Sequence, residues 1–92
     1  MSHAICKKVL YSGRVQGVGF RYKANRIAMM YVVVGYVKNL ANGQVEMLVE
    51  GEESEVNKVL SRVADQMALN IEHITITDQE LTGRTQFEIL FS

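Results

Sequence analysis

The run GRVQGVGFR, Gly13–Arg21, constrains this chain more than any other stretch. Three glycines fall within seven positions, at Gly13, Gly17 and Gly19, and Phe20 and Arg21 follow at once. Strand-like alternation precedes the run and helix-like spacing follows it, so the glycines belong to a turn that opens a helix. Glycine reaches positive φ and lets a ligand approach the backbone closely. Such a turn aims several free N–H groups at one point, at the positive end of the helix dipole. That is a cradle for a small anion, and Arg21 adds a planar guanidinium at its rim. The plainer alternative is a glycine-rich loop beside a surface arginine.

The flanking patterns predict the elements. Ala4–Tyr11 reads as a strand, with Val9 and Tyr11 on one face and Lys8 and Leu10 on the other. Phe20 to Met30 reads as a helix whose stripe is Phe20, Ala24, Ile27, Ala28 and Tyr31. The valine-rich run from Val32 to Leu40 reads as a strand ending near Asn39, with Gly35 marking close backbone packing. Asn42-Gly43 is a hairpin signal. In the return strand, Gln44–Glu50, Val45, Met47 and Val49 face inward while Glu46 and Glu50 face out. Gly51–Ser54 reads as a turn. Glu53–Ala68 reads as a helix with Val56, Val59, Leu60, Val63 and Met67 on one stripe and acidic residues complementing its N-terminal dipole. Ile71–Thr77 and Thr85–Phe91 read as two further strands, the last with Phe87, Ile89 and Phe91 alternating, and Thr82-Gly83 turns the chain between them.

The order is therefore β-α-β-β-α-β with a short extra strand at the end. Two apolar helix stripes and several half-buried strands are satisfied together by one sheet with both helices on one face. The expectation is an α+β, ferredoxin-like antiparallel sheet forming a single domain over residues 1–92. A right-handed crossover makes the first two strands parallel neighbours or near-neighbours. Whether the glycine loop and the far end of the second strand then meet is left open by this reasoning.

Composition narrows the function. Ten basic and ten acidic residues give a formal net charge of zero, which argues against a large nucleic-acid footprint. One local positive spot still suffices for a small phosphate-bearing substrate. Cys6 is the only cysteine, so no internal disulfide forms, and it reads as a small, partly buried hydrophobe. The first residues, MSHAICKK, lack the apolar core of a signal peptide, and the longest uncharged run, Ile27–Val37, is eleven residues, too short to span a bilayer. A soluble cytoplasmic protein is expected. His3 reads as a terminal residue and His73 as a strand surface residue, with no metal-ligand spacing around either. Met29, Met30, Met47 and Met67 read as core filling.

GRVQGVGFR, together with GYVKN at Gly35–Asn39 and NGQVE at Asn42–Glu46, resembles the paired signature of the acylphosphatase family. The eighteen positions from Arg21 to Asn39 match as well, and the similarity covers essentially the whole chain. The resemblance implies a metal-free hydrolase without cofactors that splits acyl phosphates, the mixed anhydrides of carboxylic and phosphoric acid. Its partners would be a small-molecule acyl phosphate and inorganic phosphate, with no nucleic acid and no membrane, and a monomer is expected. By family similarity Arg21 grips the phosphoryl group and Asn39 positions the attacking water. The phosphate-binding loop is Val15, Gln16, Gly17, Val18, Gly19 and Phe20, with the amides from Gln16 to Phe20 holding the oxygens. The family's fold places the loop beside Asn39.

Two departures from the family pattern are visible. The family usually has a glycine between the first helix and second strand, where this chain has Val32, and a β-branched residue is costly at positive φ. The family also commonly has Gly-Pro before its fourth strand, where this chain reads LNIEH at Leu69–His73. Two other functions compete, since fold alone does not choose among them. One is a module that binds a small anion without turning it over. The other, RNA binding, would want exposed sheet aromatics within a basic patch, for which Tyr36 and the C-terminal phenylalanines are the weak support.

Overall fold

The computed structural model describes residues 3–91. The elements run β1 (Ala4–Gly13), α1 (Phe20–Ala28), β2 (Val33–Asn39), β3 (Val45–Glu52), α2 (Glu53–Gln66), β4 (Ile71–Gln79) and β5 (Phe87–Leu90). They form a five-stranded sheet in the order β4-β1-β3-β2-β5, with β1 antiparallel to both β3 and β4 and β2 antiparallel to β3. The expected α+β, ferredoxin-like arrangement is present, and its antiparallel sheet carries one parallel pair, because β5 runs parallel to β2. The reason is local. The chain from β4 crosses the sheet through residues 80–86 and arrives beside β2 already pointing the same way. As expected, β1 and β2 run parallel as near-neighbours, with β3 between them.

Both helices lie on one face. Phe20, Ala24, Ile27 and Ala28 of α1 and Val56, Val59 and Val63 of α2 share one core with Val9 and Tyr11 of β1, Val37 of β2, and Val45, Met47 and Val49 of β3. The Tyr11 and Phe20 rings lie 4.8 Å apart and tilted, a favourable arrangement beyond their burial. Met47 and Met67 fill this core, but Met29 and Met30 are exposed. α1 ends sooner than its spacing implies, at Ala28, and the amides of Met30 and Tyr31 close tight turns onto Ile27 and Ala28. The helix thus stops without a glycine cap. The Val32 amide donates to Glu55 Oε1 of α2 at 2.9 Å, so the valine at this junction is served by a side chain from the other helix. His3 accepts at its carbonyl from the Glu53 amide at 2.8 Å, and that bond ties the start of the chain to α2.

Gly35 marks close backbone packing, as its place in a valine run implies. A Cβ built there would sit 1.8 Å from the Leu48 carbonyl oxygen, and its φ is +144°. Gly13, at the β1 irregularity, is similarly crowded by the Asn70 carbonyl at 2.6 Å.

The other face of the sheet is not simply open. Glu50 lies opposite Cys6 in the β1–β3 register and is buried rather than facing solvent. Its carboxylate accepts from the Thr82 hydroxyl at 2.6 Å, the Thr82 amide at 2.8 Å and the Gly83 amide at 3.3 Å. A buried carboxylate needs such donors, and residues 80–86 form a strap across the sheet to supply them. The Arg84 guanidinium then lies 4.7 Å over the Tyr36 ring and 3.5 Å from Glu88. Burial and the Tyr36–Glu46 hydrogen bond of 2.5 Å push the Tyr36 phenol up to about 12. The one aromatic of the central strands on this face is therefore capped, unlike a base-stacking platform. Burial and the neighbouring Glu50 charge also push the Cys6 thiol up, in keeping with an inert buried cysteine.

For Glu50, burial raises the carboxyl, but the Thr82 hydroxyl and amide, the Gly83 amide and Cys6 outweigh it, and the net shift is downward from 4.5. A carboxyl with a depressed folded-state pKa stabilises the protein above its unfolded pKa, and this contribution is lost as pH falls through the lower folded value. Urea titrations should show stability declining as pH drops from about 5 towards 3, and Glu50→Gln should remove part of that decline. Gly35→Ala should lose about 2–4 kcal/mol, read as a lower urea midpoint at unchanged slope, because backbone rather than a flexible side chain must move.

Candidate active site

β1 and β2 run parallel, so their carboxyl ends reach the same edge of the sheet. The glycine loop leaves the end of β1, and Asn39 is the last residue of β2. This parallelism settles whether loop and strand end meet. β5 runs parallel to β2, with Val37 opposite Ile89 and Lys38 opposite Leu90. One step further along each strand lie Asn39 and Phe91. Three strands thus deliver their ends to one place.

A cavity of about 240 Å³ opens there, lined by Val15, Gly17, Gly19, Phe20, Arg21, Tyr22, Asn39, Ile89 and Phe91. Gly17 and Gly19 take φ of +76° and +78°, and a Cβ at either would meet nothing within 4 Å. Glycine is required there for the left-handed backbone, not for space. Gly19 caps α1, its carbonyl accepting from the Lys23 amide at 3.0 Å, so the first amides of the helix lie beside the cavity without helical partners. Val15 and Phe20 are buried and anchor the two ends of the loop in the core. Arg21 follows in the first turn of α1, where its Nη1 lies 3.4 Å from the Leu90 carbonyl and its guanidinium 4.8 Å from the Phe91 ring centre. The end of β5 therefore holds the arginine from behind.

Of the residues expected from sequence, Val15, Gly17, Gly19, Phe20, Arg21 and Asn39 come together around this cavity. Gln16 and Val18 are not among its lining side chains. Gln16 points the other way, its Nε2 donating to the carbonyls of Leu40 and Gln44 at 2.8 Å each. These bonds tie the loop to the turn between β2 and β3, directly after Asn39. Val18 packs against the core. Tyr22, Ile89 and Phe91 are lining residues that sequence reasoning missed. The alternation of Ile89 and Phe91 was visible, but only the parallel pairing of β5 brings that face to Asn39.

The family model for acylphosphatase matches residues 7–89. An acylphosphatase from Acaryochloris marina is 36% identical over 91 residues, covering 98% of each chain. The chain belongs to the acylphosphatase family. It is an enzyme of that family by its full-length similarity, which extends to an acylphosphatase of Archaeoglobus fulgidus at 36% identity over 95% of this chain and 99% of that one. The fold agrees. The crystal structure of acylphosphatase from Bacillus subtilis superposes with a TM-score of 0.85 at 32% identity, covering 94% of this chain and 98% of that one. Among the described residues no helix is long and apolar enough to cross a membrane.

The two Gln16 hydrogen bonds are part-buried, and each is worth about 1 kcal/mol. Gln16→Ala should therefore lose about 1–2 kcal/mol of stability in urea titrations. Amide hydrogen exchange in residues 15–20 should speed up more than in β3.

Proposed function

We propose that residues 1–92 act as one catalytic domain that hydrolyses acyl phosphates to a carboxylate and inorganic phosphate without a metal ion. The observation that carries this reading is that two left-handed glycines, Arg21 and Asn39 line one cavity. Phosphoryl transfer asks the protein mainly for positioning and charge neutralisation. The loop amides from Gln16 to Phe20 supply donors whose directions are set before substrate arrives. Arg21 donates two parallel charge-assisted hydrogen bonds to phosphoryl oxygens.

Asn39 orients the nucleophile. Its carbonyl accepts from a water molecule and its NH₂ donates, but it cannot take a proton at neutral pH. The water oxygen attacks phosphorus in line, and the bond from phosphorus to the acyl oxygen breaks. The bonding pair leaves with the carboxylate. The water's proton passes to a phosphoryl oxygen, which needs no protein base, and the carboxylate is a good enough leaving group to need no strong acid. In this mechanism the positive charge comes from Arg21 and the loop amides. A cytoplasmic setting and a monomeric state belong to the same proposal.

Purified protein should hydrolyse acetyl phosphate with EDTA present. Arg21→Ala should lower kcat/KM by about 10³-fold and weaken competitive inhibition by inorganic phosphate, since substrate and product share the phosphoryl contacts. Asn39→Ala should lower kcat by about 10²–10³-fold while phosphate inhibition stays within about twofold. An Asn39→Ala enzyme with nearly full turnover would remove the water-positioning role.

A further inference from the structure

A buried carboxylate far from the cavity bears on Arg21 through the chain that follows β4. Glu50 pairs with Val34, five positions along β3 from Val45, which pairs with Asn39. At about 3.4 Å per residue it stands roughly 17 Å from Val45. It is 8% exposed and lies on the sheet face away from both helices. Its three donors, the Thr82 hydroxyl and amide and the Gly83 amide, all belong to the strap of residues 80–86. Beyond that anchor the Gly35 amide donates to the Gln86 carbonyl at 3.0 Å. β5 begins at once, four residues long and at the edge of the sheet. Phe87 seats its start in the core, and its far end holds Arg21. The Leu90 carbonyl and the Phe91 ring contact the guanidinium, and among the described residues no acidic side chain pairs with it.

We propose that Glu50 is a positioning residue: by anchoring residues 80–86 it fixes how β5 docks, and so how Arg21 is presented to the phosphoryl group. This rests on the hydrolytic reading of the cavity, in which Arg21 grips that group. An unanchored run of chain gives up conformational freedom each time the strand after it docks. A short parallel strand at a sheet edge has few ladder bonds to offset that loss. A carboxylate suits the task because it only accepts, and its two oxygens take several donors at once. Its charge-assisted bonds are also stronger than those of a neutral acceptor. Without Glu50 the strap and β5 open together as one local unit. In that open state Leu90 and Phe91 leave the guanidinium, which is then no longer held in one direction before substrate arrives.

The experiment compares Glu50→Ala with Val59→Ala, a change in the core beneath α2 that lies in neither the strap nor the cavity lining. Both should lower the urea midpoint. With both proteins folded, only Glu50→Ala should alter the reaction, lowering kcat/KM for acetyl phosphate about 10-fold and weakening inhibition by inorganic phosphate about fivefold or more. Amides of residues 86–90 should exchange faster in Glu50→Ala while those of α2 do not. Glu50→Gln keeps one acceptor oxygen and should return kcat/KM to within about threefold of the unaltered protein. Thr82→Ala, at an exposed residue, removes one donor from the strap side and should cost about threefold in the same two measurements. It decides the question if Glu50→Ala does not fold. Unchanged kcat/KM and phosphate inhibition in the folded variant, or equal losses in Val59→Ala, leave Glu50 with stability alone and overturn the proposal. If the unaltered protein hydrolyses no acetyl phosphate, the hydrolytic reading fails by itself. Phosphate titration followed by the amide signals of Gln16–Phe20 then reads binding, and weaker binding in Glu50→Ala but not Val59→Ala still upholds the anchor. Neither hydrolysis nor phosphate binding overturns both.

Discussion

The direction of three strands decides what this molecule can do. β1, β2 and β5 run parallel, and their carboxyl ends reach one edge of the sheet. Each brings something different. β1 ends in a glycine turn that leaves amides exposed at a helix start, β2 ends in Asn39, and β5 ends in residues that lie against Arg21. Reversing any one strand would carry its contribution to the opposite edge, some 20 Å away for a six-residue strand. No side-chain adjustment could recover it.

Holding that arrangement falls to backbone contacts more than to surface charge. Gly35 lets β2 approach β3 at a distance no side chain would allow, and Gln16 ties the loop to the β2–β3 turn through two carbonyls. The exposed pairs, such as Lys58 with Glu55 and Arg84 with Glu88, add little by comparison. Glu50 is different because it is buried. Its carboxylate gathers three donors from Thr82 and Gly83, which keeps the strap on the sheet and so sets where β5 begins. A charge on the face away from the cavity thereby helps to place Ile89 and Phe91 in it.

The elements of this fold were legible because they are written in local periodicity. The stripe of α2 and the alternation of Val45, Met47 and Val49 need no partner to be seen, and each is confirmed in the core. Boundaries were less legible. α1 stops at Ala28 although Tyr31 continues the spacing, since Tyr31 packs against the core from a turn. Met29 and Met30 are apolar residues on the wrong side of that turn, and nothing in their identity distinguishes them from the buried Met47 and Met67. Glu50 alternated as an outward residue and is outward with respect to the helices, but a strap from thirty positions later covers it.

By itself the sequence determined the loop, the arginine that follows it, the asparagine at a strand end and the number and kind of elements. These depend on backbone freedom at glycine and on spacing between neighbours, which are properties of short stretches. Tertiary structure alone decided that β5 pairs parallel to β2, that Glu50 is buried beneath residues 80–86, and that Tyr22, Ile89 and Phe91 wall the cavity. Those outcomes come from contacts between segments far apart along the chain. Such contacts are chosen by where hydrogen bonds and buried surface can be satisfied together, a balance that no short window of residues contains.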